Sequence, residues 1–211
     1  MAALGRQVSV GRRATAAFLL SMVLASGCAS VAPGAAPAQH FEGRFVASIS
    51  RGDSREAVSG RFVLATYPGR STLDLSSPLG TTLARVETDA GGARLTAAQS
   101  DGTLATWLGE NPDALVESVL GVSLPVSGLA DWIVGRPVPG RPAQVFPATG
   151  ATQRIEQDGW VIAISDRFAD SGAPSRLTLD RTTGGSGNSA VQLRLAVDPP
   201  GAARAQDAVR Q

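Results

Sequence analysis

The sequence predicts a mainly β protein built as a single antiparallel sheet, curved or closed into a barrel, with two short helices inserted among the strands. Apolar and polar residues alternate with a period of two in short segments between about residues 41 and 197. Turn signals such as Pro68-Gly69 and Asp158-Gly159 separate these segments. Many short antiparallel strands in succession favour a curved sheet or a barrel.

The first 28 residues have the features of an export signal that ends in a lipoprotein cleavage site. Arginines at 6, 12 and 13 precede an apolar run, Ala14 to Ala25, that is shorter than the roughly 20 residues of a membrane-spanning helix. Cys28, the only cysteine, closes the motif Leu24-Ala25-Ser26-Gly27-Cys28. We predict that residues 1–27 are a signal peptide and that Cys28 is lipidated. The alternative is an ordinary secretory signal with an incidental cysteine.

Residues 28–40 are predicted to be the lipidated cysteine and a flexible tether. The segment from Ala29 to Gln39 is rich in Ala, Pro and Gly and has no hydrophobic period. In bacterial lipoproteins, Asp directly after the cysteine usually marks inner-membrane retention, so Ala29 indicates the outer membrane. At the other end, residues 198–211 are predicted to be a disordered tail.

Alternation defines the strands that follow the tether. The inward-facing sets are Phe45, Ala47 and Ile49, then Phe62 and Leu64, then Leu73 and Leu75. In the next segment Arg85 and Glu87 share a face with Leu83, which predicts a strand that runs out of the core. Gly91-Gly92 and Asp101-Gly102 are further turn signals.

A first helix is predicted after these strands. Asn111 is its expected N-cap, Pro112 its first residue and Gly121 its terminator. Its apolar side consists of Leu115, Val116, Val119 and Leu120.

A second helix is expected to begin at Ser127 as N-cap and to end at Gly135 and Pro137. Its apolar side consists of Leu129, Trp132 and Ile133. Two amphipathic helices within an antiparallel series must cover something apolar, either the mouth of a barrel or one face of the sheet.

Alternation returns after the helices and completes a folded domain of residues 41–197. The sets are Trp160, Ile162 and Ile164, then Leu177 and Leu179, then Val191, Leu193, Leu195 and Val197. A membrane-spanning barrel is the less favoured alternative, because its strands need about 9 to 11 residues and aromatic girdles. This chain has only ten aromatic residues, and several of its predicted strands are shorter.

Composition argues against several functions. Without residues 1–27 the chain carries 16 of its 19 basic residues against 18 acidic ones, so no nucleic acid is expected as a partner. With one histidine, His40, and one cysteine, the sequence gives no metal site and no base for a nucleophile. Paired carboxylates remain possible, but no spacing singles out a pair. We therefore predict no catalytic residue, no cofactor and no enzymatic activity.

One turn is unusual because a leucine occupies its tip. Polar residues are expected there, yet Leu79 lies between Pro78 and Gly80. Leu79 either folds back onto the sheet or protrudes and inserts into a bilayer, where full burial would contribute about 1.5 to 3 kcal/mol.

Six stretches of the chain are typical, in this order, of one known family. They are Phe41-Glu42-Gly43-Arg44-Phe45, Ser59-Gly60-Arg61-Phe62, Leu73-Asp74-Leu75-Ser76-Ser77-Pro78-Leu79-Gly80, Val119-Leu120-Gly121-Val122-Ser123-Leu124-Pro125, Leu129-Ala130-Asp131-Trp132-Ile133-Val134-Gly135-Arg136-Pro137 and Gln157-Asp158-Gly159-Trp160. With them the chain resembles the LolB family, outer-membrane lipoproteins that receive other lipoproteins from a periplasmic carrier and deliver them to the membrane. The family often ends in an apolar aromatic strand, whereas here Val197 leads into Asp198-Pro199-Pro200, which leaves the length of the last strand open.

The resemblance implies a fold and a set of partners. The fold would be an unclosed antiparallel barrel, a half-barrel like those of LolA and LolB, with short helices covering the mouth. Pro78, Leu79 and Gly80 would form a membrane-insertion loop. The partners would be a LolA-like periplasmic carrier, acylated lipoprotein substrates and outer-membrane lipid. We expect a monomer, lipid-anchored to the outer membrane and facing the periplasm.

The implied function requires a cavity for acyl chains. We predict that the lining includes Phe45, Ile49, Phe62, Leu64, Leu73, Leu75, Leu115, Trp132, Ile133, Trp160 and Ile162. For each of these residues a plain core position is the alternative. The alternative function is a lipid-anchored periplasmic binding protein for a soluble apolar ligand or another envelope protein, with Leu79 as a packing residue.

Overall fold

The computed structural model describes residues 37–99, 101–149, 152–183 and 189–200 of the 211-residue chain. The predicted signal peptide, Cys28, most of the predicted tether and the tail beyond residue 200 lie outside the described residues. All described residues belong to one compact unit.

The described residues form eleven strands and two helices, which confirms the mainly β prediction. The strands are β1 (Gln39–Arg51), β2 (Ser54–Tyr67), β3 (Arg70–Ser76), β4 (Thr82–Asp89), β5 (Gly92–Ala98), β6 (Leu104–Gly109), β7 (Ala143–Thr149), β8 (Thr152–Gln157), β9 (Trp160–Arg167), β10 (Pro174–Thr183) and β11 (Ser189–Val197). The helices are α1 (Pro112–Leu120) and α2 (Val126–Trp132), both between β6 and β7.

All eleven strands belong to one antiparallel sheet. Its order is β6-β5-β4-β3-β2-β1-β11-β10-β9-β8-β7, so the first and last strands pair in the middle of the sheet. The two edges are β6 and β7, which do not pair with each other. The sheet is therefore an unclosed barrel, as predicted.

The register fixes which turns lie together. Because successive strands are antiparallel, the β1–β2, β3–β4, β5–β6 and β8–β9 turns share one end of the sheet, called here the loop end. β1 begins at the opposite end, at Gln39. Residues 39 and 40 belong to this strand rather than to the predicted tether, because they pair with Thr66 and Ala65 of β2.

The core lies on the concave face of the sheet. Phe45 and Phe62 are buried, and each lies across from a glycine of the neighbouring strand, Gly60 and Gly43 respectively. A Cβ on Gly43 would stand 2.8 Å from the Phe62 ring, and one on Gly60 would stand 3.0 Å from the Phe45 ring. The two Gly-Arg-Phe segments thus place each aromatic ring against a glycine of the neighbouring strand, where a larger residue would collide with the ring.

The strand around Leu83 remains in the core, and the prediction that it runs out of the core is wrong. Ala84 and Val86 are its buried residues. The register shifts beside Leu83, since Leu75 pairs with Ala84 while Ser76 pairs with Thr82. The extra residue is a β-bulge, which alternation alone does not reveal.

Helix α1 has the predicted boundaries. The Asn111 side chain accepts a hydrogen bond from the Ala114 N–H at 3.0 Å, Pro112 is the first residue, and Gly121 ends the helix with φ 66°. The predicted cap of α2 is wrong, because the helix begins at Val126 and Ser127 lies inside its first turn. Asp113 of α1 takes the capping role instead, since its carboxylate accepts from the Ser127 N–H at 2.8 Å and from the Ser127 hydroxyl at 2.7 Å.

The helices connect the two edges of the open sheet. α1 packs against β5 and β6 on one side of the opening. On the other side, buried Gln157 at the end of β8 accepts hydrogen bonds from the Trp132 indole N–H at 2.8 Å and from the Val138 N–H at 2.7 Å. Its amide nitrogen donates to the carbonyls of Val138 and Arg141. One glutamine therefore fixes α2 and the chain after it to the sheet.

Replacing Gln157 with leucine should destabilise the protein strongly. The change leaves the Trp132 and Val138 N–H groups without their acceptor. Each buried donor without an acceptor lowers the free energy of unfolding by about 1 to 3 kcal/mol. We expect thermal unfolding, followed by circular dichroism, to shift down by roughly 5 to 15 °C. The control is Gln144→Leu at an exposed position of β7, where a comparable shift would contradict the role given to Gln157.

Candidate functional site

An apolar cavity of about 290 Å³ lies between the concave face of the sheet and the segment that joins the two helices. Strands β1 to β4 and β11 form one wall, and residues 120–129 form the other. The lining residues are Phe45, Ala47, Ile49, Glu56, Val58, Phe62, Leu73, Leu75, Leu83, Ala84, Leu120, Val122, Leu124, Pro125, Val126, Leu129, Leu193 and Leu195. Glu56 is the only charged residue among them.

The cavity exists because small side chains interrupt a row of large ones. Ala47 pairs with Val58 and Leu193, and Ala84 pairs with Leu75 and Ala97. Both alanines are buried, line the cavity and leave space beside their larger partners unfilled. At the loop end, Val58 is 48% exposed and Leu120 is 37% exposed, so the lining reaches the protein surface there. The cavity is thus open to solvent at the same end as the Leu79 turn.

The structure brings together five of the eleven residues predicted for the lining: Phe45, Ile49, Phe62, Leu73 and Leu75. The other six, Leu64, Leu115, Trp132, Ile133, Trp160 and Ile162, are buried in the core cluster but do not line this cavity. Alternation identifies which side chains face inward, but it contains no information on which part of the inner face stays empty.

Sequence reasoning missed the wall formed by the helix connection. Val122, Leu124 and Pro125 all line the cavity, although connections between helices are usually polar. The available signal was the apolar composition of Val122-Ser123-Leu124-Pro125-Val126. At the end of α1, the Arg51 guanidinium donates a hydrogen bond to the Gly121 carbonyl and so joins this wall to β1.

Leu79 protrudes from the loop end. The Gly80 N–H donates to the Ser77 carbonyl at 2.9 Å, and the Ser77 N–H donates to the Thr81 carbonyl at 2.8 Å, which closes a tight turn. Pro78 and Leu79 are its two central residues, and Gly80 follows with φ 90°, a value that favours glycine. Leu79 is 96% exposed. The alternative in which Leu79 folds back onto the sheet is wrong.

The two strands that carry the Leu79 loop also contribute residues to the cavity wall. Leu75 on β3 and Leu83 on β4 both line the cavity, and each lies four residues from Leu79. The bulge at Leu83 brings this side chain into contact with the core. An apolar surface therefore extends from the cavity to the base of the exposed leucine.

Charged groups near the loop are arranged as ion pairs on the outer face. Arg85 of β4 donates a hydrogen bond to the Asp74 carboxylate of β3. This hydrogen bond raises the pKa of Arg85 above its ordinary value, so the guanidinium stays charged. Within the described part of the chain, no group of three or more His, Cys, Asp and Glu side chains could hold a metal ion. The helices found there are also too short or too polar to span a membrane.

The fold and the cavity define this protein as an open half-barrel with an apolar pocket of the kind that can hold an apolar ligand. A family model described as outer membrane lipoprotein LolB matches residues 40–199. The chain belongs to the LolB family, as its sequence motifs indicated. It is an outer-membrane lipoprotein that acts in lipoprotein localisation.

Several LolB proteins are similar to this chain over most of their length. LolB of Bordetella petrii is 42% identical over 184 residues, which cover 84% of this chain and 88% of that protein. LolB of Ralstonia nicotianae is 36% identical, with 90% and 99% covered. LolB of Cupriavidus pinatubonensis is 34% identical, with 89% and 95% covered.

Proposed function

We propose that this protein accepts acylated lipoproteins from a LolA-like periplasmic carrier and inserts them into the inner leaflet of the outer membrane. The observation that supports this most is the apolar cavity that adjoins a loop with a 96% exposed leucine. The cavity shelters the acyl chains, and Leu79 enters the bilayer that receives them. Transfer from site to site follows binding strength, so the protein needs no catalytic residue and no cofactor.

Moving the acyl chains of a lipoprotein through water without a protein cavity would cost a large free energy. A triacylated lipoprotein carries roughly 45 methylene groups, and at about 0.8 kcal/mol for each one, free passage through water would face a barrier of about 36 kcal/mol. An apolar site on the protein lowers this barrier because the chains never become fully hydrated.

We propose that the cavity widens when it is loaded. The cavity is about 290 Å³, whereas a triacylated lipoprotein brings roughly 45 methylene groups. The helix connection is the wall that can move, since it lies outside the hydrogen-bonded sheet and is joined to β1 through Arg51 and Gly121. We expect residues 120–126 to move away from β1 and β2 as acyl chains enter.

The proposal includes the N-terminal anchor. Residues 1–27 are removed as a signal peptide, Cys28 carries lipid, and the following residues up to the start of β1 tether the domain to the outer membrane. Mass spectrometry of the mature N-terminus together with membrane fractionation tests this part. An unmodified Cys28 in a soluble fraction would contradict it.

The experiment that tests acceptance uses the mature protein and a triacylated lipopeptide. A fluorescent fatty acid is bound first, and its displacement by the lipopeptide is followed by the loss of fluorescence. We expect displacement by the triacylated form and none by the same peptide without acyl chains. If a soluble apolar compound competes whereas the lipopeptide does not, the protein is a binding protein for small apolar ligands instead.

A further inference from the structure

The apolar cavity has a single carboxylate in its lining, that of Glu56, at the open end. Along the inner face of β2 the lining residues are Phe62, Val58 and Glu56, in order toward the β1–β2 turn. Phe62 is buried, Val58 is half-exposed and Glu56 is exposed. Glu56 therefore lies at the rim, about 7 Å along the strand from Val58. Because the apolar interior excludes polar groups, a ligand whose chains fill the cavity places its headgroup at this rim.

Among the described residues, no cation is paired with Glu56. No arginine or histidine nitrogen of these residues lies within 4.0 Å of its carboxylate. Directly opposite Glu56 on β1 is Ile49, an apolar residue that also lines the cavity. Arg51 follows Ile49 on the same face, but its guanidinium donates to the Gly121 carbonyl, and it does not line the cavity. The rim therefore presents a negative charge to a ligand that enters.

Two kinds of acylated molecule fit an apolar cavity, and their headgroups differ in charge. A phospholipid carries a phosphate on its glycerol, next to the ester bonds of its acyl chains. The acylated cysteine of a lipoprotein carries an uncharged thioether and an amide there, and the amide N–H is a hydrogen-bond donor. A carboxylate accepts hydrogen bonds from N–H donors and repels a phosphate.

A protein that works at a membrane has to distinguish these two kinds of molecule. The cavity opens at the loop end, and Leu79, which the proposed function places in the bilayer, protrudes from the same end. Phospholipid is therefore far more abundant near the opening than lipoprotein. A cavity that is filled with phospholipid cannot accept the acyl chains of the next lipoprotein.

We propose that Glu56 disfavours anionic phospholipids in the cavity and thereby selects acylated molecules by the charge of their headgroup. This inference rests on the proposed function, because it assigns the headgroup specificity of the same acyl-chain site. Two like charges about 7 Å apart near a protein surface repel enough to lower affinity about 5-fold, even with partial screening by salt. An uncharged headgroup with N–H donors meets no such repulsion.

The test uses the mature chain with Cys28→Ser, which needs no detergent that would compete for the cavity. An uncharged fluorescent fatty alcohol is bound and then displaced by short-chain phosphatidylglycerol, by a diacylglycerol with the same chains, or by a triacylated lipopeptide without acidic residues. We expect Glu56→Gln to raise the affinity for phosphatidylglycerol about 5-fold, and Glu56→Lys about 25-fold. Glu56→Gln should change the affinity for the other two ligands less than about twofold, because neither carries a negative charge.

The matched control is Glu87→Gln, which removes the same charge from an exposed position of β4. Glu87 pairs with Thr72, and Thr72 pairs with Ala65 of β2. Ala65 is nine residues from Glu56, about 30 Å along the strand and well beyond the ~8 Å screening length at physiological salt. We expect less than about a twofold effect from this control. Equal gains in phosphatidylglycerol affinity for Glu87→Gln and Glu56→Gln would mean that only net charge matters and would overturn the inference.

The choice of ligands separates this inference from the proposed function. If the lipopeptide displaces the probe but Glu56→Gln does not raise the affinity for phosphatidylglycerol, the site accepts acyl chains and the role given to Glu56 is wrong. If the lipopeptide does not displace the probe from the parent chain, the proposed function fails, and the phosphatidylglycerol series still decides the role of Glu56. Melting temperatures of both Glu56 variants within about 3 °C of the parent chain show that each variant is folded.

Discussion

Replacement of Leu79 by glutamate is expected to abolish release of lipoprotein into liposomes while acyl-chain binding stays unchanged. The leucine contributes about 1.5 to 3 kcal/mol when it is buried in hydrocarbon, and a carboxylate in its place costs roughly 2.5 to 3.5 kcal/mol more. The combined change of about 4 to 6.5 kcal/mol corresponds to a decrease of roughly a thousandfold or more in membrane insertion. Binding should survive because Leu79 does not line the cavity.

Two measurements on the same preparation test this separation. Displacement of a fluorescent fatty acid reports binding, and transfer of a labelled lipoprotein into liposomes reports release. The control is Leu108→Glu, because Leu108 is also an exposed leucine, at 71%, but lies at the end of β6 away from the Leu79 turn. Undiminished release by the Leu79 variant would remove the role assigned to the loop.

The sequence was sufficient to predict Leu79 as an unusual residue, but not its orientation. A leucine between Pro78 and Gly80 is recognisable as an apolar turn residue. Its exposure depends on the turn type, which the hydrogen bonds of Ser77 with Gly80 and Thr81 determine. Those bonds place Pro78 and Leu79 at the centre of the turn and direct the leucine away from the strands.

Alternation predicted the sheet well because one face of nearly every strand is buried. It failed at Leu83, where a bulge shifts the register and brings Ala84 and Val86 into the core. A bulge depends on pairing with the neighbouring strand, and no pattern within β4 itself records that pairing. Alternation did not identify the strands β5 to β8. Turn signals were recognised only at Gly91-Gly92, Asp101-Gly102 and Asp158-Gly159, and the pairing of these strands beside the opening comes from the complete sheet.

Local rules located α1 but not the start of α2. Asn111 caps its own helix, which is a contact between residues three positions apart. The N–H of Ser127 is satisfied instead by Asp113, fourteen residues earlier, because the two helices pack together. The sequence showed Gln157 only as part of the Gln157-Asp158-Gly159-Trp160 stretch. Its structural role was not predicted for a similar reason, since its four hydrogen bonds all involve residues of a distant segment.

The division of the core into filled and unfilled parts also depends on tertiary contacts. Ala47 and Ala84 looked like ordinary small core residues, yet their size keeps the cavity open. Trp132 and Trp160 looked suited to an apolar lining, yet both are buried outside it. Small residues opposite large ones are therefore better indicators of a cavity than the large residues themselves.

Filling the cavity should impair a different step from the Leu79 variant, because it should weaken acyl-chain binding itself. Ala84→Phe adds six carbon atoms to a residue that is 2% exposed and lines the cavity. These atoms occupy space that about six methylene groups of an acyl chain would use. Each methylene group that is no longer buried lowers the binding free energy by about 0.8 kcal/mol. We expect acyl-chain affinity to fall by about 100-fold or more, and transfer to liposomes to fall with it, although Leu79 remains in place.

The fold should tolerate this change because the ring enters space that is already empty. Overpacking a filled core costs about 1 to 3 kcal/mol, so a loss of stability smaller than this indicates that the ring occupies the cavity. Ala98→Phe on the exposed face of β5 is the control, and Ala47→Leu is a second variant that fills the same cavity from β1. Retention of full acyl-chain affinity by both filling variants would show that the chains bind elsewhere, because two strands would then have lost the same space without effect.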